Sequence, residues 1–173
     1  MIEAAKAGDG RAFEHLYRWL APEIMGFATA RAADDPGGIT NEAFFRAFQK
    51  LERFEGRSDA FRAWLFAITR NLLIDAHRSR NRRPDIASDE VPDGMAAGAD
   101  VEALDLLSTQ RVTRLLACLS DDQRDVVLLR MVGDLSLQQV SLIVDKPVTA
   151  VKALQRRGLR RLQSEVLSEV VTP

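Results

Sequence analysis

The sequence predicts an all-α protein built from two small helical domains joined by a flexible acidic linker. Three observations carry that expectation. Apolar residues recur at three- and four-residue steps through most of the chain, the period of an amphipathic helix, and no strand-like alternation exceeds four residues. Residues 84–110 interrupt the pattern with no Lys or Arg and seven acids. The charge divides about that interruption: 14 basic against 11 acidic side chains over residues 1–83, and 10 against 7 over residues 111–173. A net charge of −1 therefore conceals two blocks of +3 around one of −7, and the distribution is the informative quantity.

The elements follow in order. Phe13, Leu16, Tyr17, Leu20, Ile24 and Phe27 form the apolar stripe of a first long helix, with Pro22 expected to start a new turn within it. Asp34-Asp35-Pro36-Gly37-Gly38 reads as a breaker, after which Thr40 offers an N-cap to a helix carrying Phe44, Ala47, Phe48 and Leu51. Glu55-Gly56-Arg57 reads as a loop. Ser58 then caps a helix that carries Phe61, Leu65, Ile68 and Leu72, runs into Arg78, Arg80, Arg82 and Arg83, and stops at Pro84. Residues 84–103 lack periodicity and read as linker. Helical pattern resumes near Leu104. Two capping boxes are expected at Ser120/Gln123 and Ser136/Gln139, with Gly133 at a helix C-cap.

The same residues exclude several classes. No apolar run approaches the roughly 18 residues of a membrane span, and MIEAAKAGDGR has no signal-peptide core, so a cytoplasmic protein without membrane insertion is expected. Cys118 has no internal disulfide partner and reads as a small buried hydrophobe. His15 and His77 are too few soft ligands for zinc, and no GxxxxGK[ST], GxGxxG or GxSxG string occurs. Neither metal, cofactor nor catalysis is expected.

Two stretches point to nucleic acid. A helix over Ser136–Val144, a turn at Asp145-Lys146 and a longer helix from about Pro147 or Thr149 make a helix-turn-helix pattern. Its second helix carries Lys152, Arg156, Arg157, Arg160 and Arg161 with no acid before Glu165. Thr149 and Lys152 lie where such a helix meets base edges, and the later arginines where it meets phosphates. The other stretch, FRAWLFAITRNLLIDAHRSRNRR over residues 61–83, sets an aromatic, an amide and a row of arginines on one helix. That combination suits a backbone-tracking surface that also holds unstacked bases. Taken alone, Trp64 reads as core.

In this order the two blocks resemble the sigma-70 family, in its short extracytoplasmic-function (ECF) group. The resemblance rests on Phe13-Glu14-His15-Leu16-Tyr17, on Asn41-Glu42-Ala43-Phe44-Phe45-Arg46-Ala47-Phe48, and on Trp64-Leu65-Phe66-Ala67-Ile68 with Arg70-Asn71 and Ile74-Asp75. It continues through Leu119-Ser120, Arg124, Val126-Val127-Leu128-Leu129, Leu135-Ser136 and Val151-Lys152. The resemblance implies sigma region 2 over 1–83, a linker over 84–107 and sigma region 4 over 108–173. It implies a subunit that binds core RNA polymerase and promoter DNA, is held in check by an anti-sigma factor, and has no catalysis of its own. Region 2 would grip the polymerase clamp through Asn41 and Glu42 and capture flipped −10 bases from the non-template strand. The loop and helix start from Phe54 to Arg62 would select the base, with Asn71 beneath it and Arg78, Arg80, Arg82 and Arg83 on upstream backbone. Region 4 would read the −35 duplex, with Lys152 and Arg157 at matching recognition-helix positions beside Thr149, Arg156 and Arg160 read from the helix above.

Departures from the family pattern fall at defined positions. Pro36-Gly37-Gly38 stands where an acidic patch usually precedes the clamp motif, Asn41 replaces a Gln, Gln139 a Glu, and Ala153-Leu154-Gln155 replaces Ser-Arg-Leu. Two other readings make different predictions. A stand-alone dimeric helix-turn-helix regulator binds duplex DNA without polymerase, and a helical protein adaptor shows no salt-dependent DNA binding at all.

Overall fold

The computed structural model describes residues 1–82 and 110–171, the side chains of 81, 82 and 169–171 excepted. The expected linker, the helix onset near Leu104, and Arg83 lie outside the described residues. Among the described residues the chain is helical with no strand.

The first half holds α1 (Ile2–Lys6), α2 (Gly10–Ala30), α3 (Pro36–Gln49), a 3-10 turn (Leu51–Arg53) and α4 (Ser58–Arg82). The Asp9 carboxylate caps α2 by accepting from the Arg11 N–H at 2.9 Å. Leu16, Leu20, Ile24 and Phe27 then fall on one face and are fully buried. α2 runs through Pro22 instead of restarting there.

The start of α3 differs from expectation. Asp35 is the N-cap, its carboxylate accepting from the Gly38 N–H at 2.7 Å, and Pro36 begins the helix with the pre-set φ that position favours. A Cβ on Gly38 would lie 2.2 Å from Asp35 Oδ2, so the glycine makes room for the cap. Thr40 sits inside the helix, fully buried, its hydroxyl donating to the Pro36 carbonyl at 2.7 Å. A Thr back-bonded to the residue four before it satisfies its own oxygen and needs no N-cap position.

The second half holds α5 (residues 110–117), α6 (Asp121–Met131), α7 (Leu137–Val144) and α8 (Val148–Val171). Both capping boxes form, with Ser120 and Ser136 each exchanging hydrogen bonds with the Gln three residues on. Asp145 ends α7 at φ 52°, ψ 52°, a left-handed conformation that Asp tolerates better than most residues. Buried Gly158 brings α8 onto α6, since a Cβ there would stand 2.9 Å from Val127 Cγ2. Val126, Val127, Leu129, Leu135, Val140 and Val151, each 1% exposed or less, form this half's core.

The halves touch: α2 meets α6 and α4 meets α7. Gly133, expected as a C-cap, follows the capping residue Val132 and lacks a positive φ. A Cβ on Gly133 would lie 2.8 Å from the Leu129 carbonyl oxygen and 3.2 Å from the Phe66 ring of α4. Close approach, first to the Leu129 carbonyl of its own half and then to Phe66 across the seam, is what the glycine serves, not a left-handed backbone.

Candidate nucleic-acid interface

Helix-turn-helix geometry fixes the first surface. α7 and α8 pack about fully buried Val140 and Val151, and the Ser141 hydroxyl donates to the Lys146 carbonyl at 2.5 Å across the turn. This leaves Thr149, Lys152, Arg156, Arg157 and Arg160 exposed along α8. Thr149, Lys152, Arg156 and Arg160 follow at steps of three and four, which puts them on one helical face. Among the described residues none of the five cations on α8, Arg161 included, forms an ion pair. A row of exposed guanidiniums with no carboxylate competing is an electrostatic footprint for phosphate.

A second surface lies where the 3-10 turn enters α4. Phe54 stacks on Trp64 with ring centroids 5.0 Å apart and planes inclined by 21°, and Phe61 closes the cluster edge-on to both. Lys50, Arg53, Phe54, Glu55 and Trp64 line an open depression of about 300 Å³. Trp64 is half-buried, so it is part core and part wall. An aromatic wall flanked by two cations offers an unstacked base a π-face and its phosphate a charge.

Further along α4, Asn71, Arg78 and Arg80 are exposed. Arg80 pairs with Asp34 at 2.6 Å and Arg78 also has a partner, so neither is as available as the α8 cations. The Arg82 side chain and all of Arg83 lie outside what is described. On α3, Asn41 is exposed and its Oδ1 accepts from the Tyr17 hydroxyl at 2.9 Å. Glu42, half-buried, accepts from Arg46 Nε at 2.6 Å. Phe45, 57% exposed, stands three residues after Glu42 on the same helix and adds an apolar element that the sequence reading did not single out.

Other groups escaped the sequence reading. Asp125, 2% exposed, is held between Arg31 Nε at 3.1 Å and Arg70 Nε at 2.7 Å, which come from α2's C-cap and from α4. A signal was present: Asp125 lies one helical step before Leu129, an acid in the register of an apolar stripe. Cys118 is partly buried against the core, as a small hydrophobe would be.

Two helical modules, one presenting a helix-turn-helix with free cations and the other an aromatic depression beside a long polar helix, mark a DNA-binding protein. Comparison gives the family. Residues 13–83 match the family model of Sigma-70 region 2 and residues 109–162 that of Sigma-70, region 4. The chain belongs to the sigma-70 family and is an ECF sigma factor of transcription initiation. It is 28% identical to the ECF RNA polymerase sigma factor SigD of Mycobacterium tuberculosis (strain H37Rv), over 97% of this chain and 83% of that one. To the ECF RNA polymerase sigma factor SigC of Mycobacterium tuberculosis (strain CDC 1551) it is 30% identical, over 99% of this chain and 91% of that one. In fold it resembles the sigma factor RpoE of Bartonella quintana, solved in complex with the anti-sigma factor NepR, with a TM-score of 0.69 and 23% identity over 94% of this chain and 99% of that one. The match of 13–83 to region 2 leaves the stand-alone regulator unfavoured. Among the described residues no helix is long and apolar enough to cross a membrane.

Proposed function

We propose that this chain, as a polymerase subunit in the cytoplasm, reads two promoter elements with two separate modules, residues 1–83 and 108–173, joined by residues 84–107. The observation that carries the reading is chemical difference: unpaired cations on the second helix of a helix-turn-helix, and an aromatic depression in the other half. α8 enters the major groove of the −35 duplex, Thr149 and Lys152 at base edges, and Arg156, Arg157 and Arg160 on phosphates. The Phe54–Trp64 wall and Asn71 take −10 bases that have left the stack, offsetting a few kcal/mol of unstacking per base. Arg78, Arg80, Arg82 and Arg83 follow the upstream backbone.

Core RNA polymerase supplies the chemistry, and Asn41 and Glu42, with exposed Phe45 on the same helix, form the clamp contact. An anti-sigma factor is the partner expected to hold the chain inactive. The reading is tested with two oligonucleotides, a −35 duplex and a −10 single strand. Lys152→Ala with Arg157→Ala is expected to weaken only the duplex, and Trp64→Ala only the single strand. Equal losses on both would show one reader, not two.

A further inference from the structure

The helix-turn-helix carries one more cation besides the five on α8, and a carboxylate holds it. Lys146 stands in the turn between α7 and α8, its Nζ 3.1 Å from Asp122 Oδ2 in the first turn of α6. The neighbouring Asp121 is engaged by Arg31 at 3.2 Å, whereas Asp122 faces Lys146. The backbone of Lys146 is fixed from both sides by one residue of α7. Its N–H donates to the Ser141 carbonyl at 3.1 Å, and its carbonyl accepts from the Ser141 hydroxyl at 2.5 Å. Only the side chain is left to move. The side chains of Lys146 and Asp122 are 33% and 46% exposed, so their pair is partly solvated, weak, and readily traded for another anion.

We propose that Asp122 is a specificity-determining residue, which withholds Lys146 from DNA until α8 is seated on its preferred duplex and a phosphate takes the ammonium instead. This step rests on the −35 reading above. Lys146 precedes Thr149 by three residues, so it belongs to the base-reading end of the motif. Arg160 and Arg161 stand about 18–20 Å beyond Val148 along α8, at 1.5 Å per residue. Cations at that distance meet phosphates even when the helix lies loosely on any duplex. A lysine in the turn comes within reach of the backbone only when the start of α8 has entered the groove. In the loose complex Lys146 therefore keeps Asp122, whose charge lies within a Debye length of about 10 Å of the approaching phosphates and opposes them. In the seated complex the ammonium moves to a phosphate, and the half-exposed Asp122 carboxylate is left to water. The preferred duplex thus gains one phosphate contact that other duplexes lack. A cation withheld from the wrong sites raises the ratio of specific to non-specific binding, the quantity that matters against a genome of competing sites.

Salt titrations of the full chain test this, on a preferred −35 duplex selected from a random pool and on an unrelated duplex of equal length. Asp122→Asn keeps the size of the side chain, and circular dichroism checks its fold. It should steepen the slope of log K against log salt by about 0.9 on the unrelated duplex and leave the preferred one unaltered. That change is about 3.5-fold in K between 50 mM and 200 mM salt, so discrimination at the lower salt should narrow severalfold. Lys146→Ala should do the reverse, flattening the slope by about 0.9 on the preferred duplex alone, and Lys146→Arg should restore it. A purely structural pair would shift the urea midpoint and move neither slope. Slopes that change alike on both duplexes, or on neither, overturn the exchange alone, and either variant decides this if the other misfolds. A parent chain with no salt-dependent preference among duplexes overturns the two-reader function, and the exchange falls with it.

Discussion

Two sets of arginines in this molecule share a side chain and differ in everything else. Arg31, Arg62 and Arg70 lie along the seam, largely buried: Arg31 and Arg70 grip Asp125, and Arg62 pairs with Glu23 and lies over the Trp19 ring at 5.0 Å. Arg156, Arg157 and Arg160 stand exposed on α8 without a carboxylate among the described residues. A guanidinium already desolvated against an acid has little left for phosphate, whereas a solvated one releases counterions on meeting DNA. The net charge per block, +3 and +3, does not separate these roles; burial does.

The largest effect that would separate them is on stability. Arg70→Ala leaves Asp125 buried with one cation instead of two. It is expected to lower the free energy of the first unfolding transition in urea by about 3 kcal/mol, the low end for removing a partner from a buried ion cluster because Arg31 remains. Arg157→Ala should stay within about 0.5 kcal/mol of the parent, as exposed substitutions do. Similar losses in both would erase the distinction.

Next in size is base reading. Lys152→Ala is expected to cost about 1–3 kcal/mol on the preferred −35 duplex and to flatten discrimination among variant duplexes. A uniform loss across all sequences would move Lys152 from the base edges to the backbone. The salt dependence is finer still. Arg156→Ala and Arg160→Ala should each reduce the slope of log K against log salt by about 0.9 without changing sequence preference. Arg62→Ala should leave that slope unaltered, because its guanidinium already has partners in the protein.

How much of this was legible in sequence follows the range of the interactions involved. Helical period, both capping boxes and the turn at Asp145 depend on residues within four positions of each other, and each stands as the residue pattern predicts. The α3 start was misplaced because Thr40 and Asp35 are both good caps. Local preference favours Asp over Thr only modestly, and burial of Thr40 against the core agrees with it. The α8 cations could be nominated from spacing alone. The Asp125 triad could not, since its members come from positions 31, 70 and 125 and meet only when α2, α4 and α6 do. Only the acid in an apolar register hinted that a charged partner was needed there.

The smallest expected effect concerns α3, where an exposed pair lies beside the candidate clamp contact. Arg46 Nε donates to Glu42 at 2.6 Å, with side chains 45% and 43% exposed. An i,i+4 pair of this exposure contributes about 0.3–0.5 kcal/mol, so Arg46→Ala should barely shift the urea midpoint. Glu42→Ala removes the same pair and should cost the fold no more, yet it should also weaken capture by core polymerase, because the carboxylate itself is the proposed contact. Arg46→Ala frees that carboxylate and should leave capture equal or stronger. If the two substitutions weaken capture alike, the pair acts only by holding α3 in shape. Glu42 would then join the seam arginines as a structural charge, and the clamp contact would pass to Asn41 and Phe45.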